Sequence, residues 1–140
     1  ISKNSNLDFP YIISENVKLS KSVKIGRGSI ICSSSTLTVN IDIGDFVILN
    51  LDCTVGHDSI VGDFATIYPS VNISGNVNIG RSTEIGTGVN IIQGKSIGTN
   101  TVVGAGSVVT RDIPDNCTAV GIPAAPIKYR QIWNMNCQLD

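Results

Sequence analysis

A chain of 140 residues is enough for one domain, and a net charge of −1 gives no electrostatic case for binding nucleic acid or an anionic membrane. Three Phe, three Tyr and one Trp supply so little aromatic volume that the core must be aliphatic. The sequence has neither an apolar run of about eighteen residues nor a signal peptide, so no transmembrane helix is expected.

Residues 1–12 read as a lead-in, and Ile1 in place of a starting Met suggests a fragment or a processed chain. From Ile13 onward every sixth residue is aliphatic, through Leu19, Ile25, Ile31 and so on to Val103 and Val109, seventeen times without a slip of phase. A period of six fits neither a helix at 3.6 nor an isolated strand at 2; it is the signature of a solenoid whose unit is a short strand and a turn. Four residues after each aliphatic comes a small or β-branched residue, such as Ser29, Cys53, Ala65, Val89 or Ile113, with Lys95 the one charged exception. The wall is expected to bend at Lys95. Three residues after each aliphatic stands Asn, Ser, Gly or Asp in fifteen of seventeen hexads, as a corner requires; the exceptions are Phe46 and Phe64.

The residue after the aliphatic is Gly in every third hexad, at Gly26, Gly44, Gly62, Gly80 and Gly98. Phe46 and Phe64 are also eighteen residues apart. Eighteen residues per coil and three equal sides make a triangular prism, rising about 27 Å over the seventeen hexads at strand spacing. The expected fold is therefore all-β, a parallel β-helix over residues 13–114. The repeat is expected to stop at Arg111 to Pro114, and residues 115–140 to form a loop and a cap with a short helix around Ile132 and Trp133.

The cysteines Cys32, Cys53, Cys117 and Cys137 have no metal-binding spacing. Cys53 sits in an inward small-residue slot and reads as buried filler, which fits a reduced, cytoplasmic protein. The single histidine, His57, falls two residues after Val55 and so points outward near a corner. Histidine is the natural general base near neutral pH, and the adjacent Asp58 can fix its tautomer and raise its basicity. One coil later the same column carries Gly75, where a missing side chain leaves a backbone N–H open to an oxyanion.

The stretch Val55-Gly56-His57-Asp58, followed by Ser74-Gly75-Asn76, Ile85-Gly86-Thr87-Gly88, Val103-Gly104-Ala105-Gly106 and Gly121-Ile122-Pro123-Ala124, resembles the hexapeptide-repeat acyltransferases. The nearest branch is that of the sialic-acid O-acetyltransferases and bacterial amino-sugar N-acetyltransferases, and the likeness covers about residues 10 to 127. The resemblance implies a left-handed β-helix and an acetyl-CoA-dependent homotrimer with active sites between prisms. It implies a sugar or sugar-nucleotide acceptor in polysaccharide biosynthesis. It makes His57 the general base, Asp58 its tuning carboxylate and Gly75 the donor to the thioester oxygen. It places Thr87 and Ala105 along the pantetheine arm, and the loop from Gly121 to Ala124 near the nucleotide end. Many relatives carry at the position of Thr66 a second histidine that contacts the acetyl donor; here a hydroxyl stands there. Full-length relatives also have an N-terminal domain that grips the sugar nucleotide, and this chain begins where that domain ends.

Three other readings compete with this one. A zinc hydratase on the same prism needs three histidines, and the chain has one. A non-catalytic β-helix, ice-binding or purely scaffolding, is the second; ice-binding versions present a regular Thr-x-Thr ladder on one flat face, and Thr36-Leu37-Thr38 is not repeated in register. An O-acetyltransferase acting on a sugar or sialic-acid hydroxyl fits the same residues as the N-acetyltransferase.

Overall fold

In each hexad two residues are extended and the remaining four turn the chain. The structure, a computed structural model, describes residues 7–130, and its regular elements are nineteen β-strands. Seventeen of them, β1 (Ile12–Ile13) to β17 (Val108–Val109), are two-residue strands six positions apart, each ending on the inward aliphatic. Two longer strands, β18 (Cys117–Gly121) and β19 (Ala124–Tyr129), follow.

Every third strand lies on the same side of the prism. Side A stacks β1, β4, β7, β10, β13, β16, β18 and β19; side B stacks β2, β5, β8, β11, β14 and β17; side C stacks β3, β6, β9, β12 and β15. The pairing is parallel with an eighteen-residue register, as in Thr54↔Asn72↔Asn90 on side B. Two-residue strands have no stability of their own; each survives because its backbone bonds to the coils before and after it. The coils form a left-handed parallel β-helix.

The corners repeat as closely as the sides. Every turn residue from Gly28 to Gly106 has positive φ, and the non-glycine ones lie between 54° and 64°. Asn, Asp and Ser tolerate this conformation, but Phe46 at 55° and Phe64 at 59° adopt it as well. The two phenylalanines are thus exceptions in chemistry and not in geometry.

Inside, the aliphatic column from Ile31 to Ile113 is buried, as are Val47, Cys53, Ala65, Val71, Val77 and Val89 in the small-residue slots. Fully burying one such Ile or Val contributes about 1.5–3 kcal/mol. The slots also hold buried hydroxyls that staple coil to coil. Ser59 Oγ donates to the Ser74 carbonyl at 3.2 Å and accepts from the Val77 N–H at 3.2 Å. Ser29 and Thr83 do the same further along the axis.

Two expectations are corrected. The wall does not bend at Lys95: its carbonyl accepts from the Asn78 N–H at 2.9 Å, and Asn78↔Ser96 keeps the eighteen-residue step. The backbone ladder is indifferent to the side chain in that slot. Nor does stacking stop at Pro114. The last coil is two residues shorter, so Ile113 bridges Ile97 and Val103 pairs Ala119, a step of sixteen. Ile113 consequently enters the aliphatic column instead of a small-residue slot, and Cys117 takes the slot over Thr101. The closing element among the described residues is an antiparallel hairpin, β18 to β19, with a cis Ile122–Pro123 bond at its tip and Ala124 buried. The helix expected around Ile132 and Trp133, and Cys137, lie outside the described residues.

Candidate active site

His57 lies at the B–C corner, between β8 (Thr54–Val55) and β9 (Ile60–Val61). Val55 and Ser59 are buried on either side of it, which turns the His57 and Asp58 side chains outward. The corner is clamped from both directions along the axis: the Asp58 N–H donates to the Val39 carbonyl at 3.1 Å, and the His57 carbonyl accepts from the Asn76 N–H at 2.6 Å. Gly56 completes the clamp, because a Cβ there would lie 2.5 Å from the Gly75 nitrogen.

The His57 Nδ1 and Asp58 Oδ2 are 2.8 Å apart, with half of each side chain exposed. The hydrogen bond with His57 holds the Asp58 carboxyl below its usual range, and a second bond from Asn40 adds to this. An ionised Asp58 can only accept, so Nδ1 is the donor in this bond, and a neutral imidazole so held has its lone pair on Nε2. This is the arrangement a general base requires.

Gly75 stands one coil on, and a Cβ there would press on Nε2, Cε1 and Cδ2 of the imidazole. The ring therefore occupies the space a side chain would take. This corrects one expectation: Gly75 is buried under the ring, and its backbone is not left open. Its carbonyl accepts from the Gly94 N–H at 3.0 Å.

The other expected site residues lie elsewhere on the prism. Thr87 and Ala105, both exposed, stack at the A–B corner, where the Thr87 carbonyl accepts from the Gly106 N–H at 2.8 Å. Side B separates that corner from the His57 corner. Thr66 lies on β10 of side A, between Ile48 and Glu84. It is nine residues from His57, half a coil, and side A is the side opposite the B–C corner. One chain brings His57, Asp58 and Gly75 together and keeps Thr66 away from them.

Asn40 was not among the expected residues. It precedes Asp58 by one coil, and its Nδ2 donates to Asp58 Oδ1 at 3.3 Å. The signal was present: the eighteen-residue step that leads forward from His57 to Gly75 leads backward from Asp58 to Asn40.

No protein-family model matches the chain, and no curated protein matches it. Solved structures do. The acetyltransferase domain of PglB from Neisseria gonorrhoeae is 36% identical over 86% of this chain, with a TM-score of 0.84, and has also been solved with acetyl coenzyme A. A variant of perosamine N-acetyltransferase from Caulobacter crescentus, in complex with CoA and GDP-perosamine, is 32% identical over 89% of this chain, with a TM-score of 0.83. WeeI from Acinetobacter baumannii is 36% identical over 84% of the chain, with a TM-score of 0.74. The chain spans 58% of the length of the first two proteins and 55% of the third. By repeat, coil geometry and similarity, the chain has the left-handed β-helix fold of the hexapeptide-repeat acetyltransferases.

Proposed function

We propose that the chain is an acetyl-CoA-dependent N-acetyltransferase acting on the amine of a nucleotide-linked amino sugar. The observation that carries this reading is the His57–Asp58 pair at 2.8 Å, at a corner where Gly75 makes room for the ring. The likeness to proteins whose structures hold acetyl-CoA, or CoA with GDP-perosamine, supports the choice of donor and acceptor.

The neutral amine attacks the thioester carbonyl carbon, and Nε2 of His57 takes the proton that the new C–N bond makes acidic. Asp58 stabilises the resulting imidazolium. The attack leaves a tetrahedral oxyanion on the former carbonyl carbon. Collapse breaks the C–S bond, and the imidazolium returns its proton to the thiolate, leaving the acetamide, coenzyme A thiol and neutral His57. No covalent enzyme intermediate is needed. A positioned general base contributes about 10²–10⁴-fold, and holding both reactants in one cleft supplies much of the rest.

The working unit in this proposal is a cytoplasmic homotrimer. Side A carries an outward row of Ile12, Ile30 and Ile48, all exposed in one chain, with Leu51 and Tyr68 beside it. Thr66 shares that side, so it reaches a His57 corner only across a contact between copies. Thr87 and Ala105 in turn line the pantetheine arm at the A–B corner.

The test has two stages. Acetyl-CoA is expected to raise the melting temperature of the chain, and 4-amino-sugar nucleotides are expected to support coenzyme A release. Release with sugar hydroxyls alone would reassign the chain to O-acetylation. Neither a melting shift nor release with any acceptor would leave the acetyltransferase reading without support.

A further inference from the structure

We propose that Asn40 is a positioning residue for the catalytic pair: its side-chain amide, one coil before Asp58, orients the carboxylate that holds His57. The inference rests on reading His57 as the general base.

The geometry divides the two carboxylate oxygens between two partners. Oδ2 meets His57 Nδ1 at 2.8 Å, and Oδ1 accepts from Asn40 Nδ2 at 3.3 Å. An ionised carboxylate accepts and cannot donate, so the amide must present its N–H edge. With both oxygens engaged, the carboxylate cannot rotate freely about its Cβ–Cγ bond, and Oδ2 stays aimed at Nδ1. Asn40 is itself held, since its backbone N–H donates to Ser22 Oγ at 2.9 Å.

The turn alone does not call for an amide. Equivalent left-handed positions are filled by Gly28, Ser34, Phe46 and Asp52. The amide-to-next-coil bond recurs between Asn100 and Asn116 at 2.9 Å, where no acid–base pair stands. An amide-to-next-coil bond is thus open to turn residues at more than one corner, and its consequence differs where the next coil offers Asp58. The neighbouring coils bring Val39 and Asn40 from one side and Gly75 and Asn76 from the other, none of them titratable. His57 is the one titratable side chain among the groups acting on the Asp58 carboxyl.

The single histidine makes the test clean, because one imidazole signal titrates in an NMR spectrum of the full chain. Asn40→Gly keeps the turn, as Gly adopts φ near 54° without strain, and removes the amide. Its Asp58 carboxyl midpoint is expected to rise by roughly a few tenths of a pH unit, with melting unchanged. Asn40→Asp keeps the size and sets a second negative charge against Asp58; the His57 midpoint is expected to rise by about half a pH unit. The acid limb of kcat/KM is expected to rise with it, at unchanged KM for acetyl-CoA. Asn100→Gly, the control, is expected to move neither midpoint. Wild-type midpoints in both Asn40 variants would overturn the proposal. Midpoints that move while the rate shows no limb, together with a His57→Asn variant of full activity, would keep the orientation and reject the general-base reading instead.

Discussion

At the C–A corner Phe46 and Phe64 hold the same left-handed turn position that Asp58 holds at the B–C corner, with φ values of 55°, 59° and 58°. The surroundings diverge from there. The phenylalanine rings are stacked at 5.6 Å and parallel within 1°, Phe9 meets Phe46 edge-on at 5.5 Å, and Arg27 and Arg81 sit over the outer faces at 5.7 and 5.8 Å. A Cβ at Gly28 would strike the Phe46 ring, so that column is packed layer on layer. At the B–C corner one ring lies over one glycine, and half of the His57 side chain is exposed to solvent. The backbone of a corner is common property; what a corner does depends on whether its column is filled with rings or left with a gap.

Three substitutions sharpen this contrast. His57→Ala removes the proposed base from the gapped corner and is expected to lower the transfer rate by about 10²–10⁴-fold, read as coenzyme A release. Its melting temperature should stay near that of the wild type, since half of the side chain is in solvent. Gly75→Ala puts a methyl where the imidazole now lies, forcing the ring away from its place beside Asp58. A rate loss of roughly tenfold or more is expected, with little change in melting, because an exposed ring can move where a backbone cannot. Phe64→Ala acts on the filled corner. Losing one stacked, half-exposed ring is expected to cost about 1–2 kcal/mol in denaturant unfolding and to leave turnover unchanged.

The coil and its sides were legible because an inward position tolerates only aliphatics, so the period survives in seventeen hexads with no help from context. The columns were legible for the same reason: once the step is eighteen, His57 falls under Gly75 and Thr87 under Ala105. Three things were not. The shortened last coil puts Ile113 against Ile97, and a β-branched residue after Asp112 looks the same whether the coil has eighteen residues or sixteen. The burial of Gly75 depends on where the His57 ring rests, which is a matter of side-chain rotamer and not of spacing. Asn40 was hidden by its own suitability as a turn residue, since a good turn former raises no question about what else its amide does.

The central claim is that chemistry resides in the gapped corner and stability in the filled one. Turnover and unfolding midpoint measured side by side for His57→Ala and Phe64→Ala test it most directly. The predicted result is a crossing: His57→Ala stays folded and stops releasing coenzyme A, while Phe64→Ala turns over normally and unfolds earlier. A folded His57→Ala variant that keeps most of the wild-type rate would contradict the account.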